Sequence, residues 1–349
     1  MSCDEWFDNL FRQFLVLSQQ TVEDNFDSLR FDNKLASTFL LDYHLHHLKF
    51  VFSHKEPLFG ARSLLANSSS QFLFDQLLLY RMLGQKHVKL PTNTLAFWEK
   101  RELEKSLCSG DANEVGSLGS LKYFDLEFLG YAIRLKAWPI NISATFSELQ
   151  YFYHDKDVVI APKEGDFILD AGSCFGDTAL AFAASVGYTG RVYTFDMVPL
   201  HLNILQQNLK MNPQLASRVE IVGYGLSDIS NVLPEARPSE SAISGSIQPD
   251  ARLEDGNFPV RSIDDLMNDG RVQHVDFIKM DIEGSELAAL HGAEQTLRKF
   301  KPNLAISIYH KPEDFYLIQE YLGKLDLGYK FYLGHYTIHA GETILYASL

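Results

Sequence analysis

Four short runs in the second half of the 349-residue chain carry residue types able to do chemistry. The first is Asp170-Ala171-Gly172-Ser173-Cys174-Phe175-Gly176-Asp177-Thr178. Glycines placed there, directly after an apolar run, let backbone approach a ligand where a side chain would clash. The spacing is G-x-x-x-G and not the G-x-G-x-x-G that cradles a pyrophosphate on a helix N-terminus. The second is Asp196, which ends Val192-Tyr193-Thr194-Phe195 and precedes Met197. A carboxylate at that place can accept hydrogen bonds from both hydroxyls of a ribose, and its charge roughly doubles the strength of each. The two runs together predict an adenosine-bearing ligand held by Asp170, Gly172, Ser173, Cys174, Gly176, Asp177, Thr178, Asp196 and Met197.

The third run is Gly225-Leu226-Ser227-Asp228, whose Leu226 and Ser227 would sit against the adenine; a plain turn explains it nearly as well. The fourth is Lys279-Met280-Asp281-Ile282-Glu283-Gly284-Ser285-Glu286. Three carboxylates crowd the end of an apolar strand, an arrangement that raises pKa values and is costly unless it is used. The blander reading is that Glu286 starts the next helix, where negative charge suits the dipole.

The elements that must position these runs are legible from periodicity. From Phe167 the chain alternates strand and helix. Strands are expected at Phe167–Asp170, Arg191–Phe195, Val219–Val222, Val275–Met280 and Leu304–Tyr309. Helices are expected at Asp177–Val186, Pro199–Met211, Ser285–Phe300 and Pro312–Leu325. Near-continuous apolar strands alternating with helices predict a doubly wound α/β fold, a parallel sheet covered on both faces. Tyr329–Leu333 and Thr343–Ala347 have no helix between them and predict an antiparallel hairpin at the sheet edge. Ser227–Pro259 reads as a long loop, a candidate lid over the site.

The first part of the chain is different. Trp6, Phe7, Leu10, Phe11, Phe14 and Leu17 share one helical face, and apolar-periodic stretches follow at Leu35–Phe52 and Phe72–Leu83. Ser68 to Ser70 offer N-cap hydroxyls, and Gly84 stops the third helix. Ser109–Ser120 reads as a loop. Tyr123–Phe128 and Gly130–Leu135 then read as a β-hairpin turning near Leu129-Gly130. A soft boundary near residue 145 divides a mostly helical domain, 1–145, from the α/β domain, 146–349.

Composition bounds the function. A formal net charge of −14 repels phosphate backbones, so nucleic acid is a poor partner. Cys3, Cys108 and Cys174 are scattered and fit a reducing compartment. The start Met-Ser-Cys-Asp-Glu-Trp is acidic where a signal peptide needs a basic region, and no apolar run is long enough to span a membrane. A soluble cytoplasmic protein is expected. His44-x-His46-His47 lacks the pairing with a Glu that zinc helices use, so packed or solvated histidines are expected.

The runs DAGSCFGDT, FDMVP, GLSD and IKMDIEGSELAALHGA resemble the FkbM family of methyltransferases over about residues 147 to 349. That resemblance implies a Rossmann-like methyltransferase sheet, S-adenosylmethionine as cofactor, and O-methylation of a hydroxyl on a sugar, glycan, glycolipid or glycosylated natural product. Asp196 replaces the family's usual Glu, and Ser173-Cys174 replaces its commoner Ala-Asn. Methyl transfer is mainly a positioning task, with a base to assist a weakly acidic hydroxyl. His310, in Tyr309-His310-Lys311, is the preferred base, since an imidazole's ordinary pKa of about 6.5 suits it. A hydrogen-bonded structural His fits equally well. Asp281 could orient the cofactor amine, and Glu283 or Glu286 could bind acceptor hydroxyls. A divalent ion on Asp281, Glu283 and His310 is the less favoured alternative. The helical part has no readable motif and would cap the site, form a homodimer or dock a partner enzyme. Peptide or other small-molecule methylation, a non-catalytic S-adenosylmethionine-binding protein and a nicotinamide oxidoreductase are the rival functions.

Overall fold

The computed structural model describes residues 1–28, 37–107, 113–114, 120–156, 158–231 and 259–349. Five helices come first: α1 (Cys3–Leu17), α2 (Ser37–Ser53), α3 (Lys55–Leu64), α4 (Ser68–Leu83) and α5 (Leu95–Leu107). The short strands β1 (Asn113–Glu114), β2 (Ser120–Asp125) and β3 (Arg134–Ala137) follow, then α6 (Pro139–Ile142) and the hairpin β4 (Tyr153–Asp155) and β5 (Val158–Ile160). The alternating part opens with β6 (Phe167–Ala171), α7 (Asp177–Ser185), β7 (Arg191–Phe195), α8 (Pro199–Met211), α9 (Pro213–Ala216) and β8 (Val219–Val222). It continues through β9 (Gly225–Leu226), β10 (Val260–Arg261), α10 (Ile263–Asn268), β11 (Phe277–Met280), α11 (Glu286–His291) and α12 (Glu294–Phe300). The chain ends with β12 (Asn303–Ser307), α13 (Asp314–Lys324), β13 (Lys330–His335) and β14 (Thr343–Ser348).

Seven strands form one sheet in the order β13-β14-β12-β11-β6-β7-β8. β12, β11, β6, β7 and β8 run parallel, and β13 pairs antiparallel with β14. This is the expected doubly wound sheet closing on a C-terminal hairpin. The helix expected over Ser285–Phe300 is two helices, α11 and α12. They part at Gly292, where any Cβ would run into the carbonyl of Ser227. The tight turn expected at Leu129-Gly130 is a 3₁₀ turn over Leu126–Leu129, started by the Asp125 carboxylate accepting from the Glu127 N–H and ended by left-handed Gly130.

Contacts divide the chain into two compact units, one of Met1–Leu107 with Ser307–Leu349 and one of Cys108–Ile306. The sequence division near 145 follows a change of periodicity, whereas these units follow packing. The β2–β3 hairpin belongs to the second unit because α8 offers it a side-chain ladder. Asn208 and Asn212 exchange hydrogen bonds of 2.5 to 2.9 Å with the backbone of Lys136 and Arg134.

In the first unit, α1 opens with a capping box in which the Ser2 hydroxyl accepts from Glu5 N–H and the Glu5 carboxylate from Ser2 N–H. α4 is capped by Asn67, one residue before the expected serines, and its Ser70 hydroxyl instead accepts from the Leu333 N–H at 3.0 Å. α4 buries Phe74, Leu77 and Leu78, with Phe74 against Phe315. His47 is buried, and burial together with nearby Arg81 pulls its imidazole down to about 3, so it is a neutral packed residue. His44 hydrogen-bonds the Arg81 carbonyl. The expected loop Ser109–Ser120 and lid Ser227–Pro259 fall largely outside the described residues, as does Cys108.

Candidate active site

The site is built at the carboxyl ends of β6, β7 and β11, which pair in register through the second unit. Lys279, Asp170 and Thr194 are direct neighbours across these three strands. All three are at most 1% exposed. The Lys279 ammonium stands 3.4 Å from the Asp170 carboxylate. Asp170 also accepts from Thr178 at 2.9 to 3.0 Å and from Thr194 at 3.2 Å. Lys279 spends its remaining donors on the carbonyls of Ala171 and Gly172, at 3.0 and 2.7 Å. A charge buried this deeply needs both an opposite charge and saturated hydrogen bonding, and this row supplies both. Sequence reasoning passed over Lys279, although a lone cation inside an otherwise apolar strand is itself a signal.

Two residues further along, just past the ends of the same strands, stand Asp281, Gly172 and Asp196. Asp281 and Asp196 are both half-buried. Asp196 is braced from three sides: it accepts from Cys174 N–H at 3.0 Å, Val198 N–H at 2.8 Å and the His201 ring at 3.2 Å. His201 packs edge-on against Phe175, and nothing in the sequence singled it out. Gly172 adopts φ +80°, and a Cβ there would overlap the Asp281 carbonyl. Its glycine is therefore demanded by the close approach of the loop after β11, a reason different from the ligand contact the sequence suggested. Gly176, at φ +83°, begins α7 with Leu205 packed against it. Cys174 sits between them at φ +47°, a left-handed conformation that Asn tolerates better than most side chains. Burial pushes its thiol pKa up, which makes it an unreactive group.

The turn residues Asp177 and Thr178 are directed inward. Thr178 serves Asp170, and Asp177 accepts from Thr145 at 2.5 Å and Asn141 at 3.3 Å. Burial pushes the Asp177 carboxyl up to about 6, with the Thr145 bond opposing the shift. Its partners come from residues 138–151, a strap of α6 and a π-helical turn over Ser143–Ser147 that sequence reasoning did not anticipate. π turns are rare and concentrate at functional sites. Trp138 at the strap's start packs edge-on against Phe175, 4.6 Å between centroids. At its other end the buried Tyr151 donates to the Asp281 carboxylate at 2.8 Å.

The remaining candidates are placed as follows. Ser173 is buried, its N–H on the Phe195 carbonyl. Leu226 is buried in the β9–β10 pair, and Gly225 beside it faces the Met197 sulfur. Ser227 donates its hydroxyl to Asp228. Glu283 is exposed on the loop after β11 at φ +56°. Glu286 is wholly buried and accepts from the Ile282 N–H at 2.8 Å, so it braces that loop. His310 belongs to the first unit, three residues beyond the end of β12, half-buried with its ring 4.2 Å from that of Tyr309.

Residues 170–331 match the family model of the methyltransferase FkbM domain. A crystal structure of an FkbM methyltransferase from Methylobacillus flagellatus KT is similar with a TM-score of 0.57 at 20% identity. The match covers 88% of this chain, which spans 62% of that one. Aeropyrum pernix fibrillarin, solved with natively bound S-adenosyl-L-methionine, is 18% identical with a TM-score of 0.32, over 53% of this chain and 67% of its own. A SAM-dependent O-methyltransferase from Thermotoga maritima is 15% identical with a TM-score of 0.32, over 63% and 69%. No curated protein matches the sequence.

Proposed function

We propose, from the premise that this chain carries an FkbM-family methyltransferase domain, that it moves a methyl group to a hydroxyl of a sugar, glycan, glycolipid or glycosylated natural product. The cofactor is S-adenosylmethionine, which supplies an electrophilic methyl on a sulfonium. The observation that carries the reading is Asp196. Its carboxylate is anchored at the end of β7 by the backbone of the Gly172–Gly176 turn, where it would accept the ribose hydroxyls. The donor set fits the cofactor: a fixed carboxylate for the ribose, buried Leu226 for the adenine, and Asp281 for the α-ammonium, with no side chain at Gly172 in between.

In this reading the chain's own work is positional. Asp196 and Asp281 hold the two ends of the cofactor. Glu283, exposed beyond Asp281, is assigned to an acceptor hydroxyl, and His310 to accepting the proton that the hydroxyl loses. The strap 138–151 braces Asp281 and Asp177, and the interior row ties β11 to the turn after β6. The mostly helical part over residues 1–145 is assigned to selecting the acceptor.

Calorimetry with S-adenosylmethionine tests the reading. Micromolar binding by the wild type that falls at least tenfold in Asp196→Ala supports it, and methylation of a sugar panel then identifies the acceptor. Wild-type protein that ignores the cofactor would sink it.

A further inference from the structure

Tyr151 is 5% exposed, at the end of the strap, between a carboxylate, an amide and a buried ammonium. Its hydroxyl donates to Asp281 Oδ2 at 2.8 Å. The same hydroxyl lies 3.3 Å from the Gln150 side-chain amide, which donates to it. Its ring lies over the Lys279 ammonium, 5.1 Å from the centroid. One side chain thus covers the buried cation and holds the half-buried carboxylate two residues further on, just past the end of the strand. Lys279 is committed to Asp170 and to the Ala171 and Gly172 carbonyls. A phenol is a neutral donor: it fixes the orientation of a carboxylate and leaves its negative charge in place. A lysine or arginine in that role would fix Asp281 equally well and quench it. Gln150 supplies the phenol oxygen with a donor, so the Tyr151 proton is directed at Asp281.

We infer that Tyr151 is a positioning residue that keeps the Asp281 carboxylate oriented, and so makes the site selective for the amino-acid tail of its cofactor. The inference rests on the reading that the cofactor is S-adenosylmethionine with its ammonium on Asp281. The strap therefore takes part in ligand choice, by way of a residue that need not touch the ligand.

The test compares two ligands by calorimetry on the full chain: S-adenosylmethionine, and 5′-methylthioadenosine, which keeps the adenosine and lacks the tail. Tyr151→Phe retains the ring over Lys279 and removes only the hydroxyl. It should weaken S-adenosylmethionine about tenfold and leave methylthioadenosine unchanged. S-adenosylhomocysteine, which keeps the tail, should follow S-adenosylmethionine. Asp281→Asn should weaken the tailed ligands further, and adding Tyr151→Phe to it should cost nothing more, because the phenol acts through the carboxylate. Wild-type affinity for S-adenosylmethionine in Tyr151→Phe would overturn the inference. So would an equal loss for methylthioadenosine, which marks a packing role, or additive losses in the double variant. A wild type that binds neither ligand would instead overturn the cofactor assignment itself.

Discussion

Two rows of residues, one within three neighbouring strands and one just past their carboxyl ends, set the logic of this domain. The inner row, Lys279, Asp170 and Thr194, is closed: charge meets charge at 3.4 Å and the carboxylate is surrounded by hydroxyls. The outer row, Asp281, Gly172 and Asp196, has two carboxylates with a glycine between them and no lysine. Each outer carboxylate accepts from side-chain or backbone donors that fix its orientation: Tyr151 for Asp281, and Cys174 N–H, Val198 N–H and the His201 ring for Asp196. The same residue type thus serves stability in one row and, under the proposed function, recognition in the next. What separates them is the supply of compensating charge.

The comparison breaks first at Lys279. Lys279→Met leaves Asp170 buried without its cation and should cost about 3–5 kcal/mol of stability in urea denaturation. Pairing it with Asp170→Asn should recover much of that loss. Asp177 is the intermediate case, as buried as the inner row yet served by neutral partners. Its native pKa of about 6 lies above the ordinary 3.8, so the native state holds that proton more tightly than the unfolded chain. Stability from this group is complete below pH 3.8 and is lost as pH rises through 6, amounting to about 3 kcal/mol. Denaturation at pH 5 and pH 8 should show about half of this decline in the wild type, the loss having begun above pH 3.8, and a flatter profile in Asp177→Asn.

The outer row answers differently. Asp196→Ala should lower S-adenosylmethionine affinity about 30-fold, on the order of 2 kcal/mol, with a smaller change in melting temperature than Lys279→Met. Equal effects on melting would erase the distinction between the rows. The smallest effect belongs to Cys174. At φ +47° an Asn relaxes the left-handed strain, and Cys174→Asn should stabilise the fold by on the order of 0.5 kcal/mol. That residue is also the one the resembling family commonly carries at this place.

The strands around the site were legible because buried parallel strands are apolar runs, and three of them, Arg191–Phe195, Val219–Val222 and Phe167–Ala171, match their expected bounds within a residue. The glycines and acidic residues of the turns were legible as types. Their partners were not. Lys279 gains its meaning from register against Asp170, a relation between residues more than a hundred apart. Tyr151 lies in a stretch with no periodicity, and His201 looks like any polar residue on a helix. The helices α3 and α5 were missed where the apolar pattern is weak, and the break at Gly292 depends on a carbonyl from a distant loop.

Gly172 and the Asp281 carbonyl interlock so closely that no side chain fits between them. The loop after β6 and the loop after β11 are in this sense one part. A substitution at Gly172 can be rescued only from the other loop, and a designer who transplants either motif into a new scaffold must carry both. Variation should therefore accumulate elsewhere, in segments such as the strap, which meet this joint through side chains and can be exchanged one residue at a time.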